Sequence, residues 1–281
     1  MYKVKCTEMS LAMDIKNITV IGGRGKDGSQ EPVERVEFHM GDVVSIVGPT
    51  GCGKTTLIND IELFACGDTH SGRRVLIDGV ERSDDWASDP SKHPIALISQ
   101  HTNFLSDLPV REFLCTHAII RKSGDPVALV QETLEFANQL TGEPLLLDTA
   151  MTGLSGGQTR ALLIADAVII GNAPIILLDE IENAGIHRTK ALELLRKYQK
   201  IFIFVTHDPR IALLSDYRIV MGNGAMKQVI FTDREEKSVV EEIKKLDDLL
   251  LEFRGILRAG GRLTSLDMDR RMRSLAMPEL V

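Results

Sequence analysis

The run Gly48-Pro49-Thr50-Gly51-Cys52-Gly53-Lys54-Thr55 places glycines, a lysine and a hydroxyl at the spacing G-x-x-x-x-G-K-[ST]. Residues of these types at this spacing bind phosphate. The glycines let successive backbone N–H groups close around phosphate oxygens. A helix opening directly after them adds the positive end of its dipole. Lys54 then reaches the β- and γ-phosphates of a nucleotide, the Thr55 hydroxyl binds Mg²⁺, and Thr56 follows on the same helical turn. A second group of candidates stands far downstream. Ile175-Ile176-Leu177-Leu178 delivers two carboxylates, Asp179 and Glu180. Asp179 would hold Mg²⁺ directly or through water, and Glu180 would polarise an attacking water.

These side chains can meet only if strands end beside them. Val43–Val47, Ile95–Ser99, Ile175–Leu178 and Ile201–Val205 are almost continuously apolar, as strands buried on both faces must be. Helical patterns lie between them at Thr55–Phe64, Gln158–Ile170 and Lys190–Lys197. Strands alternating with helices predict an α/β fold with a mainly parallel sheet, whose carboxyl ends bind ligand. The P-loop context is right, with a buried strand before the motif and a helix after it. Ile15–Ile21 and Val33–His39 are shorter and more polar, split by the loop Gly22–Gln30, and read as a peripheral antiparallel piece. Residues 105–155 are mostly helical, with Val110–Ile120 and Pro126–Gln139 as the clearest patterns, and read as an inserted subdomain.

Leu154-Ser155-Gly156-Gly157-Gln158 ends 21 residues before Asp179 and leads into a helix. With the two motifs above, the chain over residues 13–231 resembles the ATP-binding cassette (ABC) ATPases, whose signature is this pentapeptide. The resemblance implies further roles. Gln100, after the strand Ile95–Ser99, is similar to the family's Q-loop glutamine near Mg²⁺ and the attacking water. His207, in Val205-Thr206-His207-Asp208, is similar to the switch histidine that contacts the γ-phosphate. The family packs two cassettes head to tail, with ATP between the P-loop of one and the signature of the other. Ser155, Gly156, Gly157 and Gln158 would therefore act on the partner's nucleotide, and a homodimer is expected. Lys54, Mg²⁺, the P-loop amides and His207 would stabilise transition-state charge.

The chain departs from the family pattern in three places. The family usually stacks an aromatic ring on adenine, whereas Thr19-Val20-Ile21-Gly22-Gly23 has none, leaving Val20 or Ile21 for apolar contact. The loop after Glu180 reads Ile181-Glu182-Asn183-Ala184-Gly185-Ile186-His187, one residue longer than usual and with His in place of Asp. The connection containing Phe64–Gly72 is also lengthened, and Cys66 and His70 within it are too few for a structural zinc.

Composition narrows the setting. Of 281 residues, 43% are hydrophobic and 26% charged, which excludes a disordered or fibrous chain. Lys plus Arg is 33 and Asp plus Glu is 40, a net charge of −7, which lends no support to a nucleic-acid partner. The cysteines Cys6, Cys52, Cys66 and Cys115 form no C-x-x-C pair and read as reduced thiols. No apolar run approaches the ~18 residues of a membrane span, and the N-terminus does not read as a secretory signal. A cytoplasmic protein is expected, at most peripheral on the inner face of a membrane.

Residues 232–281 lie beyond the cassette pattern. Val239, Ile243, Leu246, Leu250, Phe253 and Leu257 make a heptad-like seam on one helix, stopped by Gly260-Gly261. The seam fits packing on the chain itself, or contact with a second subunit or a partner. Residues 262–281 read as a frayed end, with a weakly basic tail as the alternative. The leading functional expectation is an ATPase subunit energising a separate membrane permease. The alternative is a soluble ABC ATPase that uses ATP-driven clamping to remodel a protein, metalloenzyme or nucleic acid. A nucleotide-gated module with little hydrolysis is disfavoured by intact Glu180 and His207.

Overall fold

A strand buried on both faces needs an apolar residue at every position, and the molecule uses this in its central sheet. The computed structural model describes residues 15–81, 93–99, 102–104, 106–121, 124–180 and 188–276. Gln100 and the loop Glu182–His187 lie outside these residues. Strands β1 (Asn17–Ile21), β2 (Arg35–His39) and β3 (Val43–Val47) precede helix α1 (Lys54–Glu62), β4 (Arg74–Ile77) and β5 (Ile95–Ile98). Helices α2 (Val110–Arg121), α3 (Pro126–Leu140) and α4 (Gly156–Val168) follow, then β6 (Ile175–Asp179), α5 (Arg188–Leu195), β7 (Ile201–Val205), α6 (Pro209–Leu214), β8 (Tyr217–Gly222) and β9 (Ala225–Phe231).

Six strands form one sheet in the order β5-β6-β7-β3-β8-β9, parallel except for β9. Its two faces feed two cores. Phe202 and Phe204 of β7 point to one, with Leu114 of α2, Phe136 of α3 and Leu162 of α4. Ile201, Ile203 and Val205 point to the other, with Leu57 and Ile61 of α1 and Ile18 and Phe38 of the second sheet. Successive side chains of a strand alternate faces, so each continuous run supplies both cores at once. Each such fully buried side chain contributes about 1.5–3 kcal/mol of transfer free energy. The second sheet is antiparallel, in the order β2-β1-β4.

Sequence periodicity missed β4, β8 and β9. β8 alternates buried and half-buried residues, and β4 is a four-residue edge strand, so neither shows a continuous apolar run. Helix α4 begins at Gly156, two residues before the expected Gln158, because Ser155 caps it. Two Asp-Pro pairs start helices in the same way. Asp125 accepts from the Val127 N–H and Asp208 from the Arg210 N–H, with proline in the first turn.

The chain forms two compact units, one through Phe231 and one from Thr232. The second contains α7 (Arg234–Arg258) and α8 (Ser265–Ala276). Its heptad seam is unevenly covered. Phe253 is buried with the Arg271 guanidinium 6.0 Å from its ring centre, whereas Val239, Leu246, Leu250 and Leu257 are exposed. α8 replaces the frayed end expected from sequence over 265–276. Thr264 accepts from the Asp267 N–H, and the Asp267 carboxylate accepts from the Thr264 N–H, so this helix carries its own capping box.

Candidate functional site

Carboxyl ends of parallel strands β3, β7 and β6 lie side by side, and each carries one part of the predicted machinery. β3 runs into the phosphate loop. Gly48, Gly51 and Gly53 have φ of 148°, 75° and 100°, a region that favours glycine. A side chain at Gly48 would begin 2.5 Å from the Met221 carbonyl oxygen, and one at Gly53 would begin 2.9 Å from Gly224 Cα. Cys52 is buried beneath the loop, while Pro49, Thr50 and Gly51 are exposed. Lys54 is 6% exposed and its ammonium donates to the Gly48 and Pro49 carbonyls, at 2.9 and 3.2 Å. Thr55 and Thr56 are exposed on the first turn of α1.

Asp179 ends β6, and Glu180 follows with φ 50°, a left-handed conformation in which a side chain is strained by about 1–2 kcal/mol. The Glu180 N–H donates to the Val205 carbonyl at 3.0 Å, which ties it to the end of β7. Two residues on, His207 Nε2 stands 3.7 Å from Glu180 Oε1, and both side chains remain open to solvent. A cleft of about 310 Å³, lined by Val47, Gly48, Thr206, His207, Pro209 and Arg218, opens beside them. The structure thus brings Gly48–Thr56, Asp179, Glu180 and His207 to one edge of the sheet. Threonine hydroxyl and carboxylate oxygens such as Thr55 and Asp179 are the hard donors Mg²⁺ prefers, so the donor set fits that ion.

The signature stands apart, at the start of α4. Ser155 Oγ accepts from the Gln158 N–H at 3.3 Å, and Gln158 Oε1 accepts from the Ser155 N–H at 2.9 Å. This reciprocal box leaves Ser155 Oγ–H to donate to Glu143 and Gln158 Nε2 to donate to the Pro144 carbonyl. Ser155 and Gly156 are exposed at the positive end of the helix dipole. Gly157 is half-buried, and both ends of the Gln158 amide are engaged within the chain. Val20, offered above as an apolar contact for a base, is wholly buried in the core, because alternation along β1 turns it inward; Ile21 is half-buried.

Sequence reasoning missed a buried charge cluster behind the phosphate loop. The Arg73 guanidinium is fully buried and donates to both carboxylate oxygens of Glu31 (2.6 and 3.1 Å) and to Asp60 of α1 (2.9 Å). Burial pulls the Arg73 pKa down, but hydrogen bonds and charge from Glu31 and Asp60 outweigh it and hold the group above its ordinary value. Glu31 also accepts the N–H groups of Gly23 (2.8 Å) and Met226 (2.6 Å), and Ser71 Oγ donates to Asp60 (2.8 Å). Forty-two residues separate Glu31 from Arg73. No local spacing announces such a contact, so no sequence signal pointed to it.

Comparison with known proteins follows the same lines. Residues 34–183, over half the chain, match the family model described as ABC transporter. An uncharacterized ABC transporter ATP-binding protein of Methanocaldococcus jannaschii is 48% identical over 261 residues, covering 92% of this chain and 98% of the relative. That alignment reaches into the C-terminal unit, because the part of this chain it leaves out is shorter than that unit. The spermidine/putrescine import ATP-binding protein PotA of Bacillus anthracis is 31% identical over 206 residues, and the match spans 70% of this chain and 60% of PotA. Among solved structures, a dimeric ATP-binding cassette in a post-hydrolysis state with ADP and phosphate matches with a TM-score of 0.59 at 24% identity, over 77% of this chain and 99% of that one. CbiO1 of Clostridium perfringens, part of an ABC transporter complex, matches with a TM-score of 0.60 at 22% identity, over 88% and 100%. At these identities the structural matches speak for the fold.

Proposed function

The chain belongs to the ABC transporter family of ATP-binding proteins, and we propose that it works as a head-to-tail homodimer docked on a separate membrane permease. It is an ATPase that energises a membrane transporter. The relatives favour this over the soluble remodelling role. No helix among the described residues is long and apolar enough to cross a membrane, which fits a permease that is a separate chain.

The observation that carries the reading is the meeting of the phosphate loop, the Asp179-Glu180 pair and His207 at one sheet edge. The P-loop amides and Lys54 hold the β- and γ-phosphates. Thr55 and Asp179 would hold Mg²⁺, which when bound neutralises charge between those phosphates. Glu180 orients the attacking water and takes its proton, and the left-handed backbone aims its carboxylate at the edge shared with His207. His207 donates to the γ-phosphate and stabilises the charge that develops there. Gln100, outside the described residues, keeps the role that the family resemblance gives it, near Mg²⁺ and the attacking water. Across the dimer, the exposed N-terminus of α4, with Ser155, Gly156 and Gly157, closes on the partner's γ-phosphate, and Gln158 keeps that turn in shape. One cassette alone therefore has an incomplete site.

Glu180→Gln keeps the size of the side chain and removes the base. Turnover should fall by at least ~10²-fold, the share of a well-placed general base. The variant should accumulate an ATP-bound dimer in size-exclusion chromatography. Turnover equal to the wild type would overturn the role given to Glu180.

A further inference from the structure

A loop built on glycines has few side chains with which to hold its own shape, and here Gly48, Gly51 and Gly53 all adopt φ values that other residues avoid. Its geometry is set by whatever stands behind it. Two segments do so. The turn between β8 and β9 presses Gly224 against Gly53, and the Gly224 N–H donates to the Cys52 carbonyl at 2.8 Å. The β1–β2 loop adds Lys26, whose ammonium donates to the Gly51 carbonyl at 2.7 Å. The two segments brace each other. The Lys26 N–H donates to the Asn223 carbonyl at 2.8 Å, and the Asn223 side chain donates to Asp27 at 2.9 Å.

Both segments are anchored by the same buried charges. Arg73 donates to the Gly224 carbonyl at 2.7 Å, and Glu31 accepts the Met226 N–H two residues on, at the start of β9. Glu31 also fixes the β1–β2 loop through the Gly23 N–H, and Asp60 lies on the helix that the phosphate loop opens. A buried ionic cluster stabilises a fold poorly compared with apolar residues of the same volume. What it does well is fix several backbone groups in direction at once.

We propose that the Glu31–Arg73–Asp60 cluster is the positioning centre of the phosphate loop, acting through the 223–224 turn and Lys26 to set affinity for the nucleotide triphosphate. This rests on the reading that the loop binds ATP. The cluster touches no substrate. It pre-shapes the loop so that binding does not have to order it.

The test is binding of a fluorescent ATP analogue with Mg²⁺, together with steady-state ATP hydrolysis, at a temperature where every variant is folded by circular dichroism. Arg73→Lys keeps the charge and loses the fork that reaches Glu31, Asp60 and Gly224 together. Asn223→Ala and Lys26→Met cut the exposed arms and leave the buried charges intact, so they answer the question even where Arg73→Lys does not fold. Each should weaken nucleotide Kd and raise KM by about ten-fold, the loss of a charge-assisted or buried hydrogen bond. Turnover at saturating ATP should stay within about three-fold, because bound nucleotide restores the loop. A merely structural role would lower the melting temperature and leave Kd of the folded protein unmoved. Wild-type Kd and KM in both arm variants would overturn the proposal, provided that the wild type binds and Lys54→Ala does not. Equal binding by the wild type and Lys54→Ala would instead overturn the ATP reading itself.

Discussion

Replacing Arg73 by methionine would strand Glu31 and Asp60 in the interior with no cation. Glu31 is 2% exposed and would keep only the Gly23 and Met226 N–H groups; Asp60, also 2% exposed, would keep Ser71. Breaking a buried pair by removing one partner costs about 3–5 kcal/mol. An independent route, counting Glu31 alone, gives the same size. The stranded glutamate can escape by taking a proton, and at pH 7 this costs about 1.36 kcal/mol for each unit above a reference pKa of about 4.3, or roughly 3.7 kcal/mol. At pH 5 the same proton costs only about 1 kcal/mol. A carboxyl that stays buried without a cation only by taking a proton makes the folded variant bind more protons than the unfolded chain. Stability lost at pH 7 is therefore regained as pH falls toward the unfolded value. The gap between the wild type and Arg73→Met should be about 4 kcal/mol at pH 7, some 8–16 °C in melting temperature for a unit of this size. It should narrow by about 2–3 kcal/mol at pH 5. Urea unfolding followed by circular dichroism at the two pH values measures both. Adding Glu31→Gln and Asp60→Asn to Arg73→Met should recover much of the loss at pH 7. A gap under about 1 kcal/mol at pH 7, or one that does not narrow on acidification, would show that these carboxylates are not dehydrated as their contacts require.

Two further outcomes follow from other parts of the molecule. Lys200 is buried, with Asn172 and the Ala173 carbonyl as its acceptors, and burial pushes its pKa down to about 8. Between pH ~8 and its unfolded value of about 10.4 the unfolded chain holds the proton more firmly, so this group's share of stability should rise with pH by up to about 3 kcal/mol. Urea midpoints at pH 7.5 and 9.5 should show that rise in the wild type and its loss in Lys200→Met; identical slopes would refute it. Ser155→Ala removes the cap of α4, at a cost of about 1 kcal/mol, and opens the turn that meets the partner's nucleotide. In a Glu180→Gln background it should reduce the ATP-bound dimer seen by chromatography, and an undiminished dimer would remove Ser155 from the interface.

The sequence alone determined the pieces whose physics is local. A phosphate loop is legible because its glycines, lysine and threonine must stand at fixed spacing, and the strands around it because burial on both faces demands an unbroken apolar run, as in Ile201–Val205. Asp179 and Glu180 were legible as acids ending such a strand. Tertiary structure decided what depends on contacts across long separations. Only the parallel pairing of β6, β7 and β3 brings Glu180 and His207 beside Gly48. Only the folded chain brings Glu31, Asp60, Arg73 and Gly224 together behind the loop. It also turned Val20 into the core and away from any ligand, and made a capped helix of residues 265–276. A hydrogen-bonded cluster has no period and no fixed spacing, so its members look like ordinary surface charges until the fold has excluded water from all of them at once.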